Sequence, residues 1–234
     1  MPDEKSGRRQ PESDDQKLEE SGFQFCVPSF QSDWFCSLKT ENRHLKTSKL
    51  ALFGGSFDPI HLGHTSLAQQ TFAAAGLDRV IFVPCRQSPH KTKPTEATAE
   101  QRCEMIRLAT SEFDWAELSQ IEIDRDEPSF SWLTAKEFAE REPEAELFWI
   151  LGADQWDALE TWAKPEILAE LLTFLVFPRA NSEPIAPKTG FRSQQLPEFL
   201  HPASSTSIRD SAESAREFLD PKVFDYARSN QIYG

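Results

Sequence analysis

The chain predicts an α/β fold built on a doubly wound parallel sheet, with helices on both faces and a short helical carboxyl-terminal part. From Lys49 onward, short apolar runs alternate with helical stretches, as in strands buried on both faces between crossover helices. The first apolar run passes directly into a glycine pair and then into a helix-forming stretch, the arrangement of a βα unit. The segments that could carry chemistry fall just after apolar runs, at the strand ends where such sheets hold ligands. In order, residues 50–53 read as the first strand and 65–75, rich in Ala, Gln and Leu, as the first helix. Residues 80–84 form the second strand, 101–111 a helix, and a third strand lies within 116–123. Residues 130–141 are helical, 146–151 a strand ending in Gly152, 165–172 a helix and 174–177 a further strand. Two short helices, 211–219 and 221–230, complete the pattern.

At 234 residues with 38% apolar content, the chain suits one catalytic domain over residues 48–234 and an extension over residues 1–47. The extension opens with a polar stretch, 1–21, that cannot bury enough surface to fold alone and is expected to be disordered. Residues 23–35 then crowd in Phe23, Phe25, Phe30, Trp34 and Phe35. Such a cluster suits packing on the catalytic domain or contact with a protein partner, or it has no role. The formal charge of −13 argues against nucleic acid and anionic membranes as partners. Between Glu96 and Glu170 there are 20 acidic against 6 basic residues, which reads as a solvated helical surface. Four cysteines without pairing spacing, no apolar run of transmembrane length and no secretory leader predict a reducing compartment, the cytoplasm.

The run from Lys49 to His64 carries the strongest chemical signal. Gly54 and Gly55 allow close backbone approach, and the N–H groups around Gly55 and Ser56 at a helix start attract an anion. His61 and His64 are three residues apart, so one tight turn brings both rings to one pocket, where they can donate to phosphate oxygens and, when protonated, neutralise charge. A zinc reading of the pair lacks a second pair of ligands, because Cys26, Cys36, Cys85 and Cys103 are scattered; no metal site is expected. Asp58, next to Pro59, suits fixing the loop better than touching a phosphate that would repel it.

Gly55, Phe57, Asp58, His61, Gly63 and His64 match the G-x-F-D-x-x-H-x-G-H signature, and the chain resembles the nucleotidylyltransferase superfamily there. Beyond it, the resemblance is to the bacterial nicotinate-nucleotide adenylyltransferase family over nearly the whole chain after residue 48. The S-P-H-K run at 88–91, Arg102 with Met105, the E-P-S-F-S run at 127–131, the L-G-A-D run at 151–154 with Trp162, and the S-S-T-S-I-R run at 204–209 follow the family order. The resemblance implies a Rossmann-like fold and transfer of the adenylyl group of ATP to nicotinate mononucleotide, with Mg²⁺ arriving on the ATP. It further implies that His61, His64, Lys91 and Arg209 serve catalysis, with His90 a weaker candidate. ATP contacts fall to Gly54, Gly55, Ser56, Phe57, His64, Gly152, Asp154, Ser205, Thr206 and Arg209. Asp154 suits either a ribose hydroxyl or a helix cap, and Ser205 and Thr206 suit capping and phosphate binding together. Phe130, Ser131 and Trp162 are implied for the pyridine half, with Trp162 stacking on the ring. Phe130 and Ser131 stand where the family has Tyr and Thr, so a phenol hydroxyl is lost and backbone contacts remain. The rival readings are an adenylyl- or cytidylyltransferase for nicotinamide mononucleotide, phosphopantetheine or a polyol phosphate, and a catalytically weak nucleotide-binding scaffold.

Overall fold

A computed structural model of the chain describes residues 47–87, 94–178 and 185–233. Residues 1–46 of the amino-terminal extension, with its aromatic cluster, and the S-P-H-K run with His90 and Lys91 lie outside the described residues.

Six parallel strands form one sheet: β1 (Lys49–Gly55), β2 (Arg79–Pro84), β3 (Ala116–Leu118), β4 (Glu146–Gly152), β5 (Thr173–Phe177) and β6 (Arg192–Gln195). Their order is β3-β2-β1-β4-β5-β6, the doubly wound arrangement in which the chain leaves β1 in one direction and β4 in the other. Continuous apolar runs make this possible because alternate side chains enter opposite layers. Ala51, Phe53, Phe148 and Ile150 join one core, and Leu50, Leu52, Leu147, Trp149 and Leu151 the other. Helices α1 (Leu62–Ala75), α2 (Ala99–Thr110), α6 (Ser205–Asp210), α7 (Ala212–Phe218) and α8 (Pro221–Ser229) cover the first core. The second is covered by α3 (Ser131–Arg141), α4 (Ala153–Ala158), a 3₁₀ turn at Leu159–Thr161 and α5 (Pro165–Leu171). Fully buried side chains such as Phe82, Leu52 and Ile150 each contribute about 1.5–3 kcal/mol by leaving water.

Several elements differ from the sequence expectation for local reasons. Helix α1 begins at Leu62 rather than at 65, so His64 sits inside its first turn. Strand β3 stops at Leu118, because residues 120–124 close a turn in which Ile123 and Asp124 both donate to the Gln120 carbonyl, at 2.8 and 2.9 Å. The polar edge strand β6, exposed along its length, and the short helix α4 carry no periodic apolar signal. No helix among the described residues is long and apolar enough to cross a membrane.

Candidate active site

The carboxyl ends of β1 and β4, where the sheet switches direction, open into a cavity of about 350 Å³. One wall is the β1–α1 turn: Gly54, Gly55, Ser56 and Phe57, with His64 behind them. The other holds Ser129, Phe130, Ser131 and Trp162, and Trp149 and Glu122 also line the space. Gly54 and Gly55 are needed here by neighbouring rings. A Cβ on Gly54 would meet the Trp149 ring at 2.9 Å and one on Gly55 the Phe57 ring at 3.0 Å.

The turn is held from three directions. The Asp58 carboxylate, 6% exposed, accepts the Glu96 and Ala97 N–H groups at 2.9 and 3.0 Å and the Tyr233 hydroxyl at 2.9 Å. From α2, the buried Arg102 donates through Nη1 to the Ser56 carbonyl at 2.7 Å. From α6, the Ser205 hydroxyl donates to the Pro59 carbonyl at 3.0 Å, while Arg209 spends Nη1 on the Asp58 carbonyl at 2.6 Å and Nε on Glu96 at 3.0 Å. The sequence reading directs Ser205 and Arg209 at phosphate. In the structure the Ser205 hydroxyl and Arg209 Nη1 bind the turn itself and Arg209 Nε binds Glu96, and the cap of α6 is Ser204, whose hydroxyl accepts the Ser207 N–H.

His61 and His64 do meet, their rings 3.7 Å apart between centroids and tilted by 31°. The His61 N–H donates to His64 Nδ1 at 3.3 Å, so the neutral His64 ring carries its proton on Nε2. His61 is only 8% exposed, and its Nδ1 is buried without a partner among the described residues. Burial first, and the neighbouring His201 second, pull its imidazole from 6.5 down to about 4. The ring is therefore held in its neutral form at pH 7, where it can still take part in hydrogen bonds. Both His61 and His201 lean over Gly63, where a Cβ would lie 3.0 Å from the first ring and 3.2 Å from the second.

On the opposite wall, the Phe130 N–H is taken by the Pro128 carbonyl at 2.7 Å. The Leu133 and Thr134 N–H groups go to the Phe130 carbonyl at 3.0 and 3.4 Å, while the Ser131 and Trp132 amides, at the start of α3, have no carbonyl four residues back within the helix. Glu122 anchors this loop: it accepts the Thr134 hydroxyl at 2.7 Å and that of Ser129, whose oxygen in turn accepts the Arg86 N–H at 2.9 Å. Burial raises the Glu122 carboxyl above its ordinary range, against those two hydroxyl bonds and nearby Arg125.

Of the residues singled out from sequence, Gly54, Gly55, Ser56, Phe57, His64, Phe130, Ser131 and Trp162 share the cavity wall. His61 lies buried against His64, while Ser205 and Arg209 brace the turn. Gly152 ends β4, and Asp154 and Thr206 are exposed in the first turns of α4 and α6; none of the three is in the cavity lining. Lys91 lies outside the described residues. Glu122, Trp149, His201 and Tyr233 escaped the sequence reading. Each comes to the site through long-range folding, and none sits at a readable spacing from the glycine turn.

A parallel switch-point sheet with this glycine and histidine turn is the architecture of a nucleotidyltransferase, and the family model described as cytidylyltransferase-like matches residues 52–211. The "Probable nicotinate-nucleotide adenylyltransferase" of Methylacidiphilum infernorum (isolate V4) is 39% identical over 189 residues, covering 79% of this chain and 92% of its own. The protein of the same name from Opitutus terrae is 34% identical over 191 residues, 79% of this chain and 97% of its own. A solved structure of Plasmodium falciparum nicotinic acid mononucleotide adenylyltransferase complexed with NaAD superposes with a TM-score of 0.66 at 17% identity, over 80% of this chain and 97% of that one. This likeness is one of fold. The chain belongs to the nicotinate-nucleotide adenylyltransferase family, within the cytidylyltransferase-like group.

Proposed function

We propose that the chain transfers the adenylyl group of ATP to nicotinate mononucleotide, releasing pyrophosphate and forming nicotinate adenine dinucleotide for NAD biosynthesis. The observation that carries this reading is the cavity shared by the β1–α1 turn and the start of α3. One wall suits phosphate and the other a planar ring bearing a carboxylate. The acceptor phosphate attacks the α-phosphorus in line, so no protein nucleophile is required, and the protein's task is alignment and charge stabilisation.

On this reading the amides of Gly55, Ser56 and Phe57 and the Nε2–H of His64 face the α-phosphate region, and His61 contributes once an anion raises its proton affinity. Lys91 would add charge at the phosphates, and Arg209 and Ser205 would act by bracing the turn, with Thr206 and Asp154 reaching the nucleotide from the rim. Mg²⁺ enters as part of the MgATP substrate. Such a cation is carried on the phosphates and needs no dedicated protein cage. The pyridine ring would stack on Trp162, and its carboxylate would meet the first-turn amides of α3 beside Ser131.

Those amides are donors, so a nicotinamide NH₂ would face like against like and leave buried groups unpaired, at about 1–3 kcal/mol each. One feature favours the amide: the Glu122 carboxyl lines the same cavity as an acceptor. A coupled pyrophosphate assay with ATP and either mononucleotide decides the matter. kcat/KM is expected to favour nicotinate mononucleotide by at least about tenfold. Equal values, or a preference for the amide, move the assignment to the second acceptor, and binding of ATP without turnover moves it to a nucleotide-binding scaffold.

A further inference from the structure

Arg102 is 1% exposed in the first turn of α2, on the core side, and has no place in the chemistry above. Its Nη1 holds the Ser56 carbonyl, while Nε is buried without a partner among the described residues. No carboxylate among the described residues pairs with it. Its charge acts on the thiol of Cys103 and on the carboxylate of Glu100, which lies exposed on the same helix. An unpaired cation is costly to bury, and a structural donor to one carbonyl could be supplied by a neutral side chain. The position of the guanidinium is therefore informative. The Ser56–Phe57 peptide is trans, so drawing its carbonyl toward α2 turns the Phe57 N–H the opposite way. Phe57 itself is held at φ 46°, in the left-handed region that a non-glycine residue adopts only when its surroundings require it.

We propose that Arg102 is a positioning residue for the phosphates of ATP: it fixes the Ser56–Phe57 peptide so that the Phe57 N–H meets the anion, and it adds its own charge from behind that peptide. This rests on the reading of the β1–α1 turn as the phosphate site. The buried cation sits one peptide group behind the turn, where little water screens it. The acceptor's pyridine ring, on the opposite wall of the cavity, lies outside its reach.

Two full-length variants separate charge from shape. Arg102→Gln keeps a donor for the Ser56 carbonyl without the charge, and Arg102→Lys keeps the charge without the fork. The readouts are calorimetric titration with inorganic pyrophosphate, separate KM values for ATP and nicotinate mononucleotide, and the thermal midpoint. R102Q is expected to weaken pyrophosphate binding and raise the KM for ATP by at least about tenfold, with the KM for the mononucleotide within about threefold of wild type. R102K is expected to lose less than R102Q, with the same selectivity for ATP. Wild-type pyrophosphate affinity in R102Q overturns the proposal, and so does an equal loss for both substrates alongside a lowered midpoint, the result that a packing role would give. If R102Q does not fold, R102K decides on the same selectivity. A wild-type chain that binds neither pyrophosphate nor ATP instead refutes the phosphate site itself, whatever the variants do.

Discussion

His61 and His64 stand one helical turn apart yet meet different surroundings, and their variants should differ accordingly. His64 lines the cavity with Nδ1 committed to the His61 N–H, so His64→Ala removes a preorganised donor. Turnover is expected to fall about 10²- to 10³-fold with the fold intact; near-normal turnover in both His61→Ala and His64→Ala would sink the mechanism. For His61 the burial that keeps the ring neutral also couples it to stability. Its imidazole titrates near 4 when folded against 6.5 unfolded, so between these values the unfolded chain binds the extra proton and stability rises with pH. The contribution is fully present above about pH 6.5 and is lost as pH falls toward 4, about 3 kcal/mol across the window. Urea unfolding of the wild type and His61→Gln at pH 7.5 and 5.0 checks this. The wild type should lose about 2 kcal/mol more than the variant on acidification, and an equal loss in both would show that His61 is not held neutral.

Helix α1 presents these rings, and its second residue, Gly63, sets how closely they pack. An alanine there suits a helix better by about 0.5–1 kcal/mol, yet its methyl would sit 3.0 Å from His61 and 3.2 Å from His201. Gly63→Ala should therefore keep its thermal midpoint while turnover falls about 10- to 100-fold through displacement of His61; unchanged turnover would mean that the ring can move without consequence. On the other wall, Trp162 follows the 3₁₀ turn and lines the cavity beside Ala163. Trp162→Ala should raise the KM for the pyridine nucleotide more than that for ATP, since stacking serves only the first; the reverse order would place Trp162 in the core alone. What the sequence made legible at this scale was whatever local chemistry dictates. The apolar runs of β1, β2, β4 and β5 and the glycine turn could be read because burial on both faces leaves no polar residue among them. β6 could not, since R-S-Q-Q at an exposed edge owes its pairing to β5 alone. The bracing of the turn by Arg209 and Tyr233, 151 and 175 residues away from Asp58 in sequence, was equally invisible there.

At the scale of the whole chain, we propose residues 48–234 as the unit that suffices for activity. Every cavity-lining residue lies at or after Phe53, and the family model begins at residue 52. The Methylacidiphilum and Opitutus relatives are covered over 92% and 97% of their own lengths by 79% of this chain. A chain of that kind thus needs no counterpart to about a fifth of the present one, which is the share that an extension of this length represents. Among the described residues, contacts just past the proposed boundary already tie the chain to the sheet: the Ser48 carbonyl accepts the Glu146 N–H at 2.8 Å, and the Lys49 N–H meets Asp78 at 2.9 Å. Removing residues 1–47 leaves both in place. The truncated chain should keep its thermal midpoint and its kcat/KM for ATP and nicotinate mononucleotide within about threefold, because the ladder bonds and cavity walls of the described residues all lie after the cut. The aromatic residues of 23–35 set the outcome to watch for. A truncated chain that stays folded and soluble yet loses turnover would make the extension part of the active site, whereas retained turnover with altered self-association would assign the cluster to contacts between molecules.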